Sequence, residues 1–423
     1  MAISGDNVAF EGSGQSGIYF FNGTTLTKVA DRNTPIPGGT GNFGSLAEFA
    51  ISDGNVAFVG GVGSGGSAQE GIYLFSNGTL SKAVDFNTPI PGGVGNFTGF
   101  SYSGISGRNV PFVGRGGSGQ EGIYCFDGAA LRIVADRNTP IPGGVGNFTN
   151  FDVPVISGNN VAFIGGNSST DKYGIYLFNG TTLSKVADFN TPVPGGSGNF
   201  TQFYYLAISG GNAAFWGLDS LGQRGVYLFS NGGLSKVADF NTSVPGGVGT
   251  FVSIDSSEIS GDNVAVRGMD QSGIQRGIYL FNGTTLSKVA DRNTPVPGGS
   301  GNFRDISYPK ISGDLIVFHA VDSLIVNNGV YLFNGNILTK VADYNTPIPA
   351  GSGNFTAALN PEISGGNIAF VGGGVSGQLG IYLASLQSPQ AISVPTVTQW
   401  GMIVMGILLG LSAIYRIRKK ATV

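Results

Sequence analysis

Ile156-Ser157-Gly158-Asn159-Asn160-Val161-Ala162-Phe163, then Gly174-Ile175-Tyr176-Leu177-Phe178-Asn179-Gly180, then Leu183-Ser184-Lys185-Val186-Ala187-Asp188 form the body of one repeating unit. Its Ile-Ser start recurs at Ile3, Ile51, Ile105, Ile156, Ile208, Ile259, Ile311 and Ile363, spaced by 48, 54, 51, 52, 51, 52 and 52 residues. The short apolar runs, bounded by glycine, asparagine and proline, read as strands, and no helical period appears in the array. Both faces of the NVAF and GIYLF runs are apolar, which predicts a sheet covered on both sides. Asn-Gly between two such runs signals a hairpin, because both central residues of a type I′ turn need positive φ. The pair recurs at Asn22, Asn77, Asn179, Asn231, Asn282 and Asn334, with Asp127-Gly128 as its equivalent.

Four antiparallel strands in a unit of about fifty residues, covered by neighbours on both faces, describe a propeller blade. Closing the ring also hides sheet edges that an open stack would expose. The fold expected is therefore all-β, a β-propeller of seven or eight four-stranded antiparallel blades plus one C-terminal hydrophobic helix. The NVAF and GIYLF blocks occur eight times and the later blocks seven times. That makes seven and a half blades, either seven with two surplus strands or eight lacking an opening half. The small NVAF strand is expected at the crowded centre. The domain reading is 1–383 for the repeats, 384–393 for a linker and 394–423 for a sorting and transmembrane segment.

Composition narrows the function. Charged residues are 11% of the chain and the net charge is −3, so no electrostatic footprint for nucleic acid exists. One cysteine, Cys125, and one histidine, His319, exclude an internal disulfide and a Cys/His zinc site. Cys125 takes the place of the leucine in GIYLF and reads as a small buried hydrophobe. No cofactor is expected. Calcium is considered through Asp31, Asp85, Asp136, Asp188, Asp239, Asp291 and Asp343, each followed two residues later by Asn. One carboxylate per unit falls short of the six to eight oxygens calcium takes, so a turn role is expected instead.

Met402 to Tyr415 is an apolar run bracketed by Trp400 and Tyr415 and followed by Arg416, Arg418, Lys419 and Lys420. Interfacial aromatics and a basic end fit a short membrane helix with the basic side cytoplasmic, which puts the repeats on the far side of the membrane. With Pro395, Thr396 and the Trp400-Gly401 pair, this stretch resembles the IPTL-CTERM sorting signals of bacterial envelope proteins, relatives of the PEP-CTERM signals handled by exosortase-type enzymes. The resemblance implies export, membrane insertion through the C-terminal helix, and a sorting protease acting near Pro395. Val394 and Val397 stand where the family usually shows isoleucine and leucine. Met1 enters directly into the repeat with no signal peptide, so a true start upstream is expected, and an in-frame stop codon directly before Met1 would contradict that.

In an up-and-down meander the loop after NVAF and the NTPxPGG loop share one face, and the Asn-Gly and Ile-Ser-Gly turns share the other. The first loop varies most, which reads equally as a binding rim on a repeat scaffold or as simple tolerance of drift. The candidate rim residues are Trp216, Arg224, Arg276 and His319. Trp216 replaces Val59 or Ile164, as extra core or as a stacking platform for a sugar. Glu258 and Glu362, just before Ile-Ser, read as solvated turn charges. No Ser/His/Asp grouping, phosphate cradle or zinc spacing stands apart from the repeat. The function expected is a non-catalytic, cell-surface or envelope-anchored module, either for binding and adhesion, with a surface glycan or protein as ligand, or purely structural. The alternative is a secreted propeller-type carbohydrate-active hydrolase.

Overall fold

The structure, a computed structural model, describes residues 1–12, 16–63, 70–168, 172–272, 276–322, 328–386 and 388–394. Eight antiparallel sheets, at 2–30, 45–85, 97–136, 150–188, 200–239, 251–291, 303–343 and 355–394, each pair consecutive strands in chain order. Blade 5 is the clearest: Phe200–Ser209, Asn212–Asp219, Arg224–Ser230 and Gly233–Asp239. Blades 4 and 7 split their first strand in two. No α-helix occurs among the described residues, and the expected C-terminal helix lies outside them.

The blade count is eight, and three expectations change with it. Ala2–Ser4 already serves as the first strand of blade 1, so that blade is not half a blade. Residues 384–393, expected as a linker, instead finish one strand (Leu379–Ser385) and supply most of the next (Ser388–Val394), which completes blade 8. Finally, the apolar stretch before each Ile-Ser opens the blade that follows it, and this moves the strand expected at the centre. These first strands make the closest approaches between neighbouring blades, so they, and not NVAF, line the axis. The NVAF run is second from the centre.

Chemistry explains why the Ile-Ser-Gly turn repeats. Each turn serine accepts a hydrogen bond from a backbone N–H of the next blade's turn. The donors are Asp53 to Ser4, Gly107 to Ser52, Gly158 to Ser106, Gly210 to Ser157, Gly261 to Ser209, Gly313 to Ser260 and Gly365 to Ser312, at 2.7 to 2.9 Å. Gly5 closes the circle on Ser364 at 2.8 Å. Glycine suits the turn because its φ is positive, +57° at Gly210 for example.

Within each blade, the face turned to the preceding blade is built on a second repeated device. The phenylalanine of each GNF block meets the tyrosine of the next GIY block edge to face. Phe200 on Tyr227 has centroids 4.9 Å apart at 87°, and Phe97 on Tyr124 5.0 Å at 85°. Such pairs are worth ~0.5–1.5 kcal/mol beyond their buried area. Space for the ring comes from the adjacent glycine: a Cβ on Gly217 would lie 2.4 Å from the Phe200 ring. Eight apolar clusters result, one between each pair of neighbours.

Among the described residues no strand is shared across the seam between blades 8 and 1. It is held by Phe10, Tyr19 and Phe21 against Ala369, Ile381 and Leu383, with Asn367 donating to Asp6 at 2.6 Å.

The Asn-Gly turns divide into two kinds. Only Asn77 and Asn231 take positive φ, at +50° and +53°, in the expected two-residue hairpins. At Asn22, Asn179 and Asn282 a second threonine lengthens the loop to four residues. There the asparagine side chain accepts hydrogen bonds from the two following threonine amides. The side chain replaces a backbone turn, as Asx motifs do.

Candidate binding site

The seven Asp-x-Asn turns come first, because their carboxylates are committed. Asp188 accepts from the Asn190 amide at 3.1 Å and the Thr191 hydroxyl at 2.8 Å, while Lys185 donates at 3.0 Å to the other oxygen. The same pattern recurs at Asp31, Asp85, Asp239 and Asp291. Among the described residues no three His, Cys, Asp or Glu side chains gather as metal ligands. Burial alone would raise the Asp188 carboxyl, but the bonds from Thr191 and Lys185 and the lysine charge override it and hold the carboxyl below its usual 3.8. A carboxyl lowered by folding adds stability above its unfolded pKa and loses it as pH falls through the folded value. Asp188→Asn is therefore expected to be less stable than the parent at pH 7, with the two curves converging below about pH 3.8 in urea melts. A difference that stays constant down to pH 2 would contradict this role.

The axial wall is where the blades stop being alike. Three residues before each repeat isoleucine, the first strand bulges or breaks. Glu48, Tyr205 and Asn360 stand there at φ of +45°, +51° and +50°. A non-glycine residue in that region costs ~1–3 kcal/mol and is a pointer to function. Tyr205 is 71% exposed, and Tyr308, at the same repeat position in blade 7, is 56% exposed. Val153 and Asn360 also face solvent from this column, whereas Tyr102 is buried with its hydroxyl directed at the Ala57 carbonyl.

Two groups form along this wall. In blade 5, Tyr204, Tyr205 and Trp216 pack in sequence, Tyr205 meeting the indole edge to face at 6.1 Å, with the Arg224 guanidinium 5.9 Å from it. The Trp216 indole N–H has no hydrogen-bond partner. Between blades 7 and 8, Ser307, Tyr308, Lys310, His319, Asn360 and Glu362 line a cleft of about 280 Å³. Lys310 joins three blades there, 3.0 Å from Glu258 and 3.7 Å from Glu362. Burial would lower its ammonium, but the two glutamates override this and raise it. Glu362 is itself raised, by burial first and by Glu258 next, against the pull of Lys310. The glutamates expected as solvated turn charges are thus half-buried partners of one lysine.

Of the four expected rim residues, the structure brings Trp216 and Arg224 together and sets His319 in the cleft. The His319 backbone N–H donates to the Ser307 hydroxyl oxygen at 3.1 Å, and its Nε2 meets the Asn328 amide oxygen. Burial lowers its pKa, leaving a neutral ring. Arg276 instead reaches Asp305 of the next blade at 3.8 Å. Tyr205, Tyr308 and Lys310 were missed. Aligning the units by their isoleucines would have found them, since Glu258, Lys310 and Glu362 occupy one repeat position, as do Tyr205 and Tyr308. Much of the variable loops, at 64–69, 169–171, 273–275 and 323–327, lies outside the described residues.

Comparison with known proteins places the repeats. The family of unknown function DUF7453 matches residues 2–215 and 169–380. The chain belongs to this family. An IPTL-CTERM motif matches residues 392–419, so the sorting signal begins inside the last strand of blade 8. Pro395, Thr396, Trp400, Gly401, Arg416, Arg418, Lys419 and Lys420 lie beyond the described residues. Among the described residues no helix is long and apolar enough to cross a membrane. No curated protein matches the chain. Solved propellers resemble this DUF7453 member in fold. The β-propeller domain of the Trilobed protease from Pyrococcus furiosus is 9% identical, with 86% of this chain and 98% of that one covered at a TM-score of 0.46. Pyrococcus horikoshii acylaminoacyl peptidase is 11% identical over 83% of this chain at a TM-score of 0.44. The chain spans 52% of that peptidase's length.

Proposed function

We propose that this exported propeller is a non-catalytic glycan-binding module displayed at the cell envelope, with the axial wall of blades 5 to 8 as its binding surface. The carrying observation is the pair of exposed tyrosines, Tyr205 and Tyr308, on the innermost strands. Aromatic faces that stay wet in a protein rich in buried rings favour stacking on the apolar face of a sugar. Asymmetry supports the same reading. The repeat position of Trp216 is Val59, Val113 and Ile164 in blades 2 to 4, but Trp216, Arg267 and His319 in blades 5 to 7. The IPTL-CTERM motif supports display outside the cytoplasm, with the membrane and a sorting protease as partners.

A hydrolase is the second reading, favoured by one observation: Glu258 and Glu362 converge on Lys310 of the cleft, and glycosidases use two carboxylates. Lys310 between them argues for a structural clasp. A glycan array probed with the full chain, followed by reducing-sugar release on each hit, separates the two. The expected result is retention of one polysaccharide class, weakened at least tenfold by Tyr205→Ala, without sugar release. Release that Glu362→Gln abolishes would establish the hydrolase, and an array with no hits would overturn the binding reading.

A further inference from the structure

The glycan-binding reading leaves open where a single sugar is recognised, and the cleft between blades 7 and 8 answers it. We infer that this cleft is a subsite for one uncharged pyranose ring, stacked on the free face of Tyr308. The inference rests on the glycan reading and adds to it a position and a substrate class.

The platform is prepared on its far side. The Arg267 guanidinium lies 3.9 Å from the centre of the Tyr308 ring. Asp255 holds that guanidinium at both ends, from Nε at 2.8 Å and Nη2 at 2.7 Å, and the Ile306 carbonyl accepts from Nη1 at 3.4 Å. One face of the tyrosine is therefore covered by a fixed group while the ring remains 56% exposed. A ring already fixed loses little freedom when a ligand stacks on it.

Size and charge define the ligand. About 280 Å³ lies at the small end of ligand sites, suited to one ring and not to a polymer segment. The polar lining offers both hydrogen-bond donors and acceptors: the Ser307 hydroxyl, the Asn360 amide, His319 and the Glu362 carboxylate. Alternating hydroxyls on a pyranose need that mixture. Lys310, the lysine that lines the cleft, is already held by Glu258 and Glu362, so it is not free to pair with uronic acids or phosphorylated sugars. Asn360 reaches the cleft through its positive-φ bulge, so the strained column and the cleft are parts of one site.

The test uses the full chain in detergent with free glucose, galactose, mannose and glucuronate as probes, read by saturation-transfer NMR and titration calorimetry, alongside the polysaccharide found on the array. At least one neutral hexose should bind in the millimolar range, as expected for so few contacts. Glucuronate should bind at least tenfold more weakly. Tyr308→Ala should abolish hexose binding with an unchanged thermal midpoint, and Tyr308→Phe should retain it. If the polysaccharide binds and responds to Tyr205→Ala while Tyr308→Ala binds every probe like the parent, the cleft inference fails and the glycan reading survives. Equal binding of glucuronate and the hexoses would also overturn the inference. Failure of polysaccharide and hexoses alike would overturn both.

Discussion

Phe200→Ala should cost the fold about 3–5 kcal/mol, the usual range for removing a buried phenylalanine. Phe200 is fully buried and stands where three aromatic contacts meet, 4.9 Å from Tyr227, 5.2 Å from Phe203 and 5.7 Å from Phe215. It begins the first strand of blade 5 and packs with Ala162, Ile175 and Leu177 of blade 4, so the loss falls on an interface between blades. Gly217 has no side chain to fill the space, and its own Cβ position borders the cavity. Urea denaturation followed by tryptophan fluorescence measures the change. Tyr205→Ala serves as the comparison, since an exposed side chain normally shifts stability by less than ~0.5 kcal/mol. A loss below about 1 kcal/mol at Phe200 would show that this ring does not hold blade 5 against blade 4.

Linking Asp6→Cys to Asn367→Cys should produce a large gain in stability. The two side chains are hydrogen-bonded across the seam although 361 residues apart. Chain-entropy arguments put the benefit of closing so long a loop at up to about 5 kcal/mol, reduced by any strain in the linker. The gain is large here because the seam has no shared strand. Among the described residues, blade 8 meets blade 1 through one apolar cluster, a few hydrogen bonds and the attraction between the Met1 amino group and Glu362, so separation of this interface opens the whole ring. Cys125 is fully buried and stays out of the reaction.

The repeat made most of the fold legible, because each blade is specified by local signals: alternating apolar strands, turn residues and a fixed period. What it concealed was the phase. The stretch before Ile-Ser is joined by sequence to the unit it follows, yet its hydrogen bonds are with the NVAF strand after it. The closing strand Ser388–Val394 escaped notice because it has no LSKVAD pattern; it gains strand structure by pairing with Ile381 to Ser385. At the site, Trp216, Arg224 and His319 stood out by departing from their neighbours in sequence. Tyr308 and Lys310 did not, since their meaning depends on Arg267, Glu258 and Glu362 in adjacent blades. Periodicity reports what is common to the units, and the wall is made of what differs.

The axial wall exists only if the eight blades close into a ring. Treating the full-length Asp6→Cys/Asn367→Cys protein with a short bis-maleimide, and resolving the products by mass spectrometry after proteolysis, tests that closure. A closed ring gives one intrachain cross-link between the peptides carrying positions 6 and 367, independent of protein concentration. Unlinked monomer, or cross-linked dimer that rises with concentration, would mean the two ends stand apart and would contradict the account.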